Sequence, residues 1–310
     1  HALVVALEHD AVPAALRAYT NLSNTMWGLD RYEDARSYQD PGRILAERTG
    51  YRYPWWFLTG HLAHMLHLTG RWEELEALWT DFEARRDEPG TDASAPNFDY
   101  LRILVEGVAR GDTEEAVRLA ETMRKWEGSD DFQARNFVEV LFSHIAILLG
   151  RPTEALERTE RVMNARAALS SRHWLFKTAV ELCLEASIAV PDLERAESVL
   201  AEALSLPPGE HTPMLDATIR GYGAILAAKR GDDADAIEPG FREAEGLCLE
   251  IGDPFRRARY LLAHAEWLAT TERSGEALVV AADAADIFRS LRARPWVERA
   301  ERLAPASLNA

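Results

Sequence analysis

Residues 141–155 read LFSHIAILLGRPTEA. Leu141, Ile145 and Leu148 recur at the spacing of one helical face, Gly150 interrupts the run, and Ala155 opens a second amphipathic stretch five residues on. The same design returns along the chain. Its turn and small-residue pairs are Asp30/Ala35, Gly70/Leu75, Gly111/Ala116, Gly150/Ala155, Pro191/Ala196, Gly231/Ala236 and Glu272/Ala277. Successive turns lie 40, 41, 39, 41, 40 and 41 residues apart. A spacing held over six intervals marks a repeat protein. Each unit reads as a hairpin of a helix A before the turn and a helix B after it, and hairpins of this kind bury their faces only by stacking.

The expected fold is therefore all-α: a right-handed superhelical solenoid of about seven antiparallel helical hairpins. One domain covers 1–310, with the end of a preceding helix at 1–11, the hairpins at 12–292, a capping helix at 293–304 and a tail at 305–310. No strand alternation bounded by Asn-Gly or Asp-Gly is present. Acids open each helix B (Glu33-Asp34, Glu73-Glu74, Glu114-Glu115, Glu154, Glu194, Asp232-Asp233, Glu276), where the helix dipole favours them. These clusters are thus structural before they are catalytic. Ser23, Ala63, Ser143, Ala224 and Ala265 lie seven residues before a turn and allow the two helices to approach closely. Pro41-Gly42 and Pro239-Gly240 fall inside helix B and predict a bend or a break. Longer connections are expected at 87–92 and 207–210.

The chain carries 51 acidic and 35 basic side chains, a net charge of −16, which disfavours a phosphate backbone as the main partner. Cys183 and Cys248 cannot make a disulfide framework and read as small core residues of a reducing, cytoplasmic compartment. No apolar run reaches membrane-spanning length, so no membrane partner is expected. The chain opens on His1-Ala2-Leu3-Val4 without Met, as the inside of a helix would, and is expected to be cut from a longer protein.

Small residues in both helices, Gly at the turn, and Tyr32 or Trp72 two residues beyond it resemble tetratricopeptide repeats. The ~40-residue period resembles the longer form found in MalT-like regulators and related bacterial multidomain ATPases. The closing stretch, Glu276-Ala277-Leu278 through Ala293-Arg294-Pro295-Trp296-Val297-Glu298-Arg299-Ala300, looks like the end of two groups. One joins a nucleotide cyclase, an ATPase and repeats; the other is the LuxR-type ATPase regulators. No helix-turn-helix follows, which favours the cyclase-type parent.

The chain itself holds no phosphate-binding G-x-x-x-x-G-K-[ST] loop, no G-x-S-x-G and no H-E-x-x-H, so no enzyme activity is expected of it and no cofactor. His61, His64 and His67 have a spacing that allows two of them to ligate a metal, but each step of three residues turns through ~300°, so the three together spread over ~120° of the helix surface and do not point at one ion. No metal site is assigned.

The resemblance implies that helix A residues face a concave groove. In this register those are Arg17, Thr20, Asn24 and Trp27; Phe57, His64 and His67; then Phe98, His144, Glu181, Glu185, Arg220, Arg259 and Glu266. Trp27 and Phe57 also fit a core. Of Trp55 and Trp56, one ring is expected to pack and the other to be exposed. The implied partner is a protein or peptide, or a small inducer, in this groove, together with other domains of the parent chain. The implied role is a non-catalytic regulatory scaffold of a signalling ATPase. A stand-alone peptide-binding adaptor is the alternative, and a metal or hydrolytic site on the repeat scaffold a third.

Overall fold

A computed structural model describes residues 1–303. It is all-helical, with 81% helix, 17 packed α-helices and no strand among the described residues. The expected tail at 305–310 lies outside them. The chain divides into two compact units, with the boundary between Arg102 and Ile103.

The first unit holds α1 (Ala2–Glu8), α2 (Val12–Gly28), α3 (Tyr32–Thr49), α4 (Arg52–Leu68), α5 (Trp72–Ala84) and α6 (Ala95–Arg102). The second opens with a π-helical segment (Ile103–Ala109) and α7 (Thr113–Met123). It continues with α8 (Phe132–Leu148), α9 (Pro152–Asn164), α10 (Arg166–Leu169), α11 (Trp174–Ala189) and α12 (Leu193–Leu204). It ends with α13 (Pro213–Arg230), α14 (Ala234–Ile251), α15 (Pro254–Ala269), α16 (Ser274–Ser290) and α17 (Arg294–Glu301).

The turns follow from backbone chemistry. Gly150 ends α8 in the left-handed region at φ +66°, and the Arg151 N–H then reaches back to the Ala146 carbonyl at 2.7 Å. This closes the orphan carbonyls of α8 without a Cβ penalty. Asp30 takes the same conformation at φ +59°, which Asp tolerates better than most residues. Four turns add a pairing the repeat pattern did not reveal. The Arg after the turn bonds an acid in the first turn of the next helix: Arg31–Asp34, Arg71–Glu74, Arg151–Glu154 and Arg273–Glu276. Each pair is solvated and fixes geometry more than it adds stability.

Close approach of paired helices uses the small residues as expected: Ser23, Ala35, Ala63, Ser143, Ala155, Ala224 and Ala265 are all buried. Two positions depart from the pattern. Asp232-Asp233 shifts the start of α14, so Ile237 is buried and Ala236 is exposed. In the π-helical segment, Gly107 faces Ala116, and a Cβ there would come within 2.4 Å of the Ala116 Cβ. The wider π turn moves that role away from Leu104, the residue seven before the Gly111 turn.

Neither Pro breaks its helix: α3 runs through Pro41 and α14 through Pro239. The glycine that follows each one supplies the reason for the motif. A Cβ on Gly42 would meet Leu58 at 2.8 Å, and one on Gly240 would meet Ala224 at 3.0 Å. Packing against the neighbouring helix holds both helices in spite of the lost hydrogen bond. The connection at 207–210 contains a 3₁₀ turn, Pro208–Glu210, and the one at 87–92 leads into another, Thr91–Ala93.

Candidate functional site

In the first unit, α2 and the start of α4 form a surface groove of about 470 Å³. Leu16, Arg17 and Thr20 line it from α2, with Pro13 at the entry of that helix. Tyr51 lies at the junction before α4, and Tyr53, Pro54 and Phe57 follow on its first turns. Tyr53 stacks on Phe57 with ring centres 6.3 Å apart, yet is 57% exposed; Tyr51 is 40% exposed. Arg17 is exposed and makes no ion pair or hydrogen bond among the described residues.

Beneath the groove lies a buried aromatic layer. Trp27 packs on His61 and His64 at 5.4 and 4.8 Å between ring centres, and Phe57 on His61 at 4.3 Å. His64 Nε2 lies 3.3 Å from Asn97 Oδ1. Burial, with the neighbouring imidazole, pushes His61 down to about 3. Burial pushes His64 down to about 4, against the pull of Asn97. Both rings are therefore neutral core groups at pH 7. His67 stands apart, stacked on Trp72 at 6.0 Å. Among the described residues no group of three His, Cys, Asp or Glu side chains is arranged to hold a metal ion. Trp55 and Trp56 are both buried, contrary to the expectation that one ring is exposed. The Arg85 guanidinium covers both indoles, at 4.7 and 5.0 Å, which removes the need for a solvent-facing ring.

The second unit holds a cavity of about 430 Å³, walled by Tyr222, Phe241, Tyr260, Trp267 and Trp296, with Glu185, Arg259, Glu266 and Arg299 among its charged residues. Behind it runs a buried ionic network. Glu181 accepts from Arg256 at 2.8 Å and from Arg259 at 2.7 Å. Arg259 also bonds Glu185 at 2.8 Å and the Tyr222 hydroxyl at 3.2 Å, and Arg256 bonds Asp253. These contacts join α11 to α15 across 74–78 residues of sequence. Burial works against ionising Glu181, but Arg256 and Arg259 outweigh it and hold its carboxyl down to about 2. Burial pushes the phenols of Tyr222 and Tyr260 well up, so both remain neutral. His144 is lowered to about 4 by burial and by the two arginines, with Glu181 opposing them.

The closing helix completes this wall. Trp296 lies under the guanidinium groups of Arg259 and Arg299, at 5.6 and 5.8 Å. Its indole N–H donates to the Val108 carbonyl at 3.1 Å. The π-helical segment ends one residue later, so this acceptor belongs to a helix terminus and needs an outside donor.

The sequence-predicted residues thus separate into groups. Arg17, Thr20 and Phe57 converge on the first-unit groove, and Glu185, Arg259 and Glu266 on the second-unit cavity. Trp27, His64 and Glu181 lie buried beneath these surfaces. Phe98 is fully enclosed, stacked on Phe82 at 4.5 Å, and has no free face. Asn24 is exposed, and Arg220 is exposed and pairs with Glu243 at 3.1 Å. Tyr51, Tyr53, Tyr222 and Arg256 were missed. Arg256 carried a signal, since Arg256/Arg259 and Glu181/Glu185 are complementary pairs at helical spacing. Comparison with models of known protein families finds no match, and comparison with curated proteins finds none.

Proposed function

We propose that this chain is a non-catalytic protein-interaction and regulatory domain of a bacterial signal-transducing ATPase. In this reading it is a tetratricopeptide-like right-handed superhelix of about seven antiparallel hairpins, working in the cytoplasm. It takes a protein or peptide on its helix A surface and passes the event to the catalytic domains of its parent. The observation that supports it is the first-unit groove. Arg17 and Thr20 on α2 and Phe57 on α4 are positions that the repeat resemblance implies for a groove, and they line one surface cavity with exposed aromatic rings. An exposed aromatic patch with a polar rim is the surface expected of an interaction site.

Selection of random linear peptides displayed on phage against the immobilised chain tests the interaction reading. Peptides that bind and compete for one site are the expected outcome; recovery of none would overturn it. The ATPase parent is tested separately, by the presence of a phosphate-binding loop in the same reading frame.

A further inference from the structure

The groove of the first unit selects one kind of peptide, and we infer that it is an extended, proline-bearing segment with an Asp or Glu beside the proline. This deepens the interaction reading above and rests on it.

The walls of the groove point to the proline. Tyr51 and Tyr53 are the only aromatic side chains among the large hydrophobics left more than a third exposed in the described residues, and both line this groove. Their rings, with Phe57, offer flat apolar faces that lose little side-chain freedom on binding. Pro13 and Pro54 line the groove and stiffen the first turns of α2 and α4. A proline ring stacks well on such faces. A polyproline segment is also already extended, so it loses little entropy when captured. Its backbone carbonyls have no internal partners. The hydroxyls of Thr20, Tyr51 and Tyr53 are donors of the right kind for them.

Charge points to the acid. Arg17 is the one charged side chain lining the groove, and it has no ion pair among the described residues. The chain as a whole is at −16, so a basic segment is the default partner of its surface. Arg17 reverses that preference locally. Its planar guanidinium, set beside aromatic rings, suits a single carboxylate and repels Lys or Arg. One guanidinium is too few for a nucleic-acid backbone, which is held by several phosphate contacts.

The test is to compare peptides selected on the parent chain with those selected on Arg17→Glu. Fluorescence anisotropy of the strongest peptide then follows, on the parent, Arg17→Glu and Tyr53→Ala. Both substituted side chains are exposed, and circular dichroism checks that the fold is kept. The expected result is enrichment of Pro with Asp or Glu on the parent. Affinity should fall at least tenfold in each variant, and the charge preference should reverse on Arg17→Glu. Peptides enriched in basic residues, or an affinity that Arg17→Glu leaves unchanged, would overturn this inference while the interaction reading stands. Recovery of no peptide at all would overturn both.

Discussion

The first-unit groove and the second-unit cavity are each lined in part by helix A side chains and reach opposite electrostatic ends. Around the second-unit cavity most charges are answered from within. Glu181 holds two arginines, Arg259 holds two carboxylates and a phenol, and Arg299 holds Glu266 at 2.6 Å. At the first-unit groove the polar and aromatic groups are left open: Arg17 has no counter-ion among the described residues, and Tyr51 and Tyr53 keep much of their rings in water. A closed network mainly stabilises its own unit. An open one keeps its interaction energy for a partner, at the cost of exposed apolar area. Charged residues in register are therefore no guide to binding until their partners are counted.

The contrast between the two units is most exposed to failure at Glu181. If the second-unit network is structural, Glu181→Ala takes the shared counter-ion from Arg256 and Arg259, two half-buried guanidiniums that keep Asp253 and Glu185. The expected loss is about 2–4 kcal/mol, read as a lower urea midpoint by circular dichroism. A loss below about 1 kcal/mol would mean that water replaces the carboxylate, and the cavity would then count as an open site like the groove.

A smaller effect comes from the layer beneath the groove. His61 and His64 have folded values of about 3 and 4, below the ordinary 6.5. As pH falls below 6.5 the unfolded chain takes up protons that the folded chain refuses, so stability falls with falling pH. The slope is about 1.4 kcal/mol per pH unit for each ring, and it flattens once the folded values are reached. His144 and His173, both lowered to about 4, add to it in the second unit. The His61→Phe variant should therefore lose less stability between pH 7 and pH 5 than the parent, by about 2 kcal/mol. Equal losses in the two chains would show that His61 is protonated within the fold, and the layer under the groove would then be wet.

How far these features were legible depends on the distance over which each is decided. The helical faces around Leu141, Ile145 and Leu148 and the left-handed turn at Gly150 are local, and a run of fifteen residues displays them. The groove was half legible. The family resemblance, applied in the repeat register, pointed to Arg17, Thr20 and Phe57, but Tyr51 sits at a junction between helices where no periodicity applies. For the Glu181–Arg256 contact only the complementary charges at helical spacing were legible and their pairing was not, because α11 and α15 meet only through the stacking of the helices between them. Small register shifts were also hidden. Asp232-Asp233 moves α14 by one position, and the π turn moves Gly107 into the place expected of Leu104. Composition is blind to both, since each depends on which carbonyl a given N–H finds.

The smallest expected effect is at Arg17, and it separates the two regions most directly. Arg17→Ala removes an exposed guanidinium that makes no bond among the described residues, so no buried partner is orphaned. Its urea midpoint should match the parent to within about 0.5 kcal/mol, against the several expected for Glu181→Ala. A larger loss would make Arg17 a packing residue whose aliphatic stem covers Leu16 or Phe57. The groove would then serve its own fold just as the cavity does, and the contrast between the two units would vanish. A stable Arg17→Ala that also loses the acidic peptide would place the charge of the groove in recognition and not in folding, since a side chain cannot hold the fold together if its removal costs nothing.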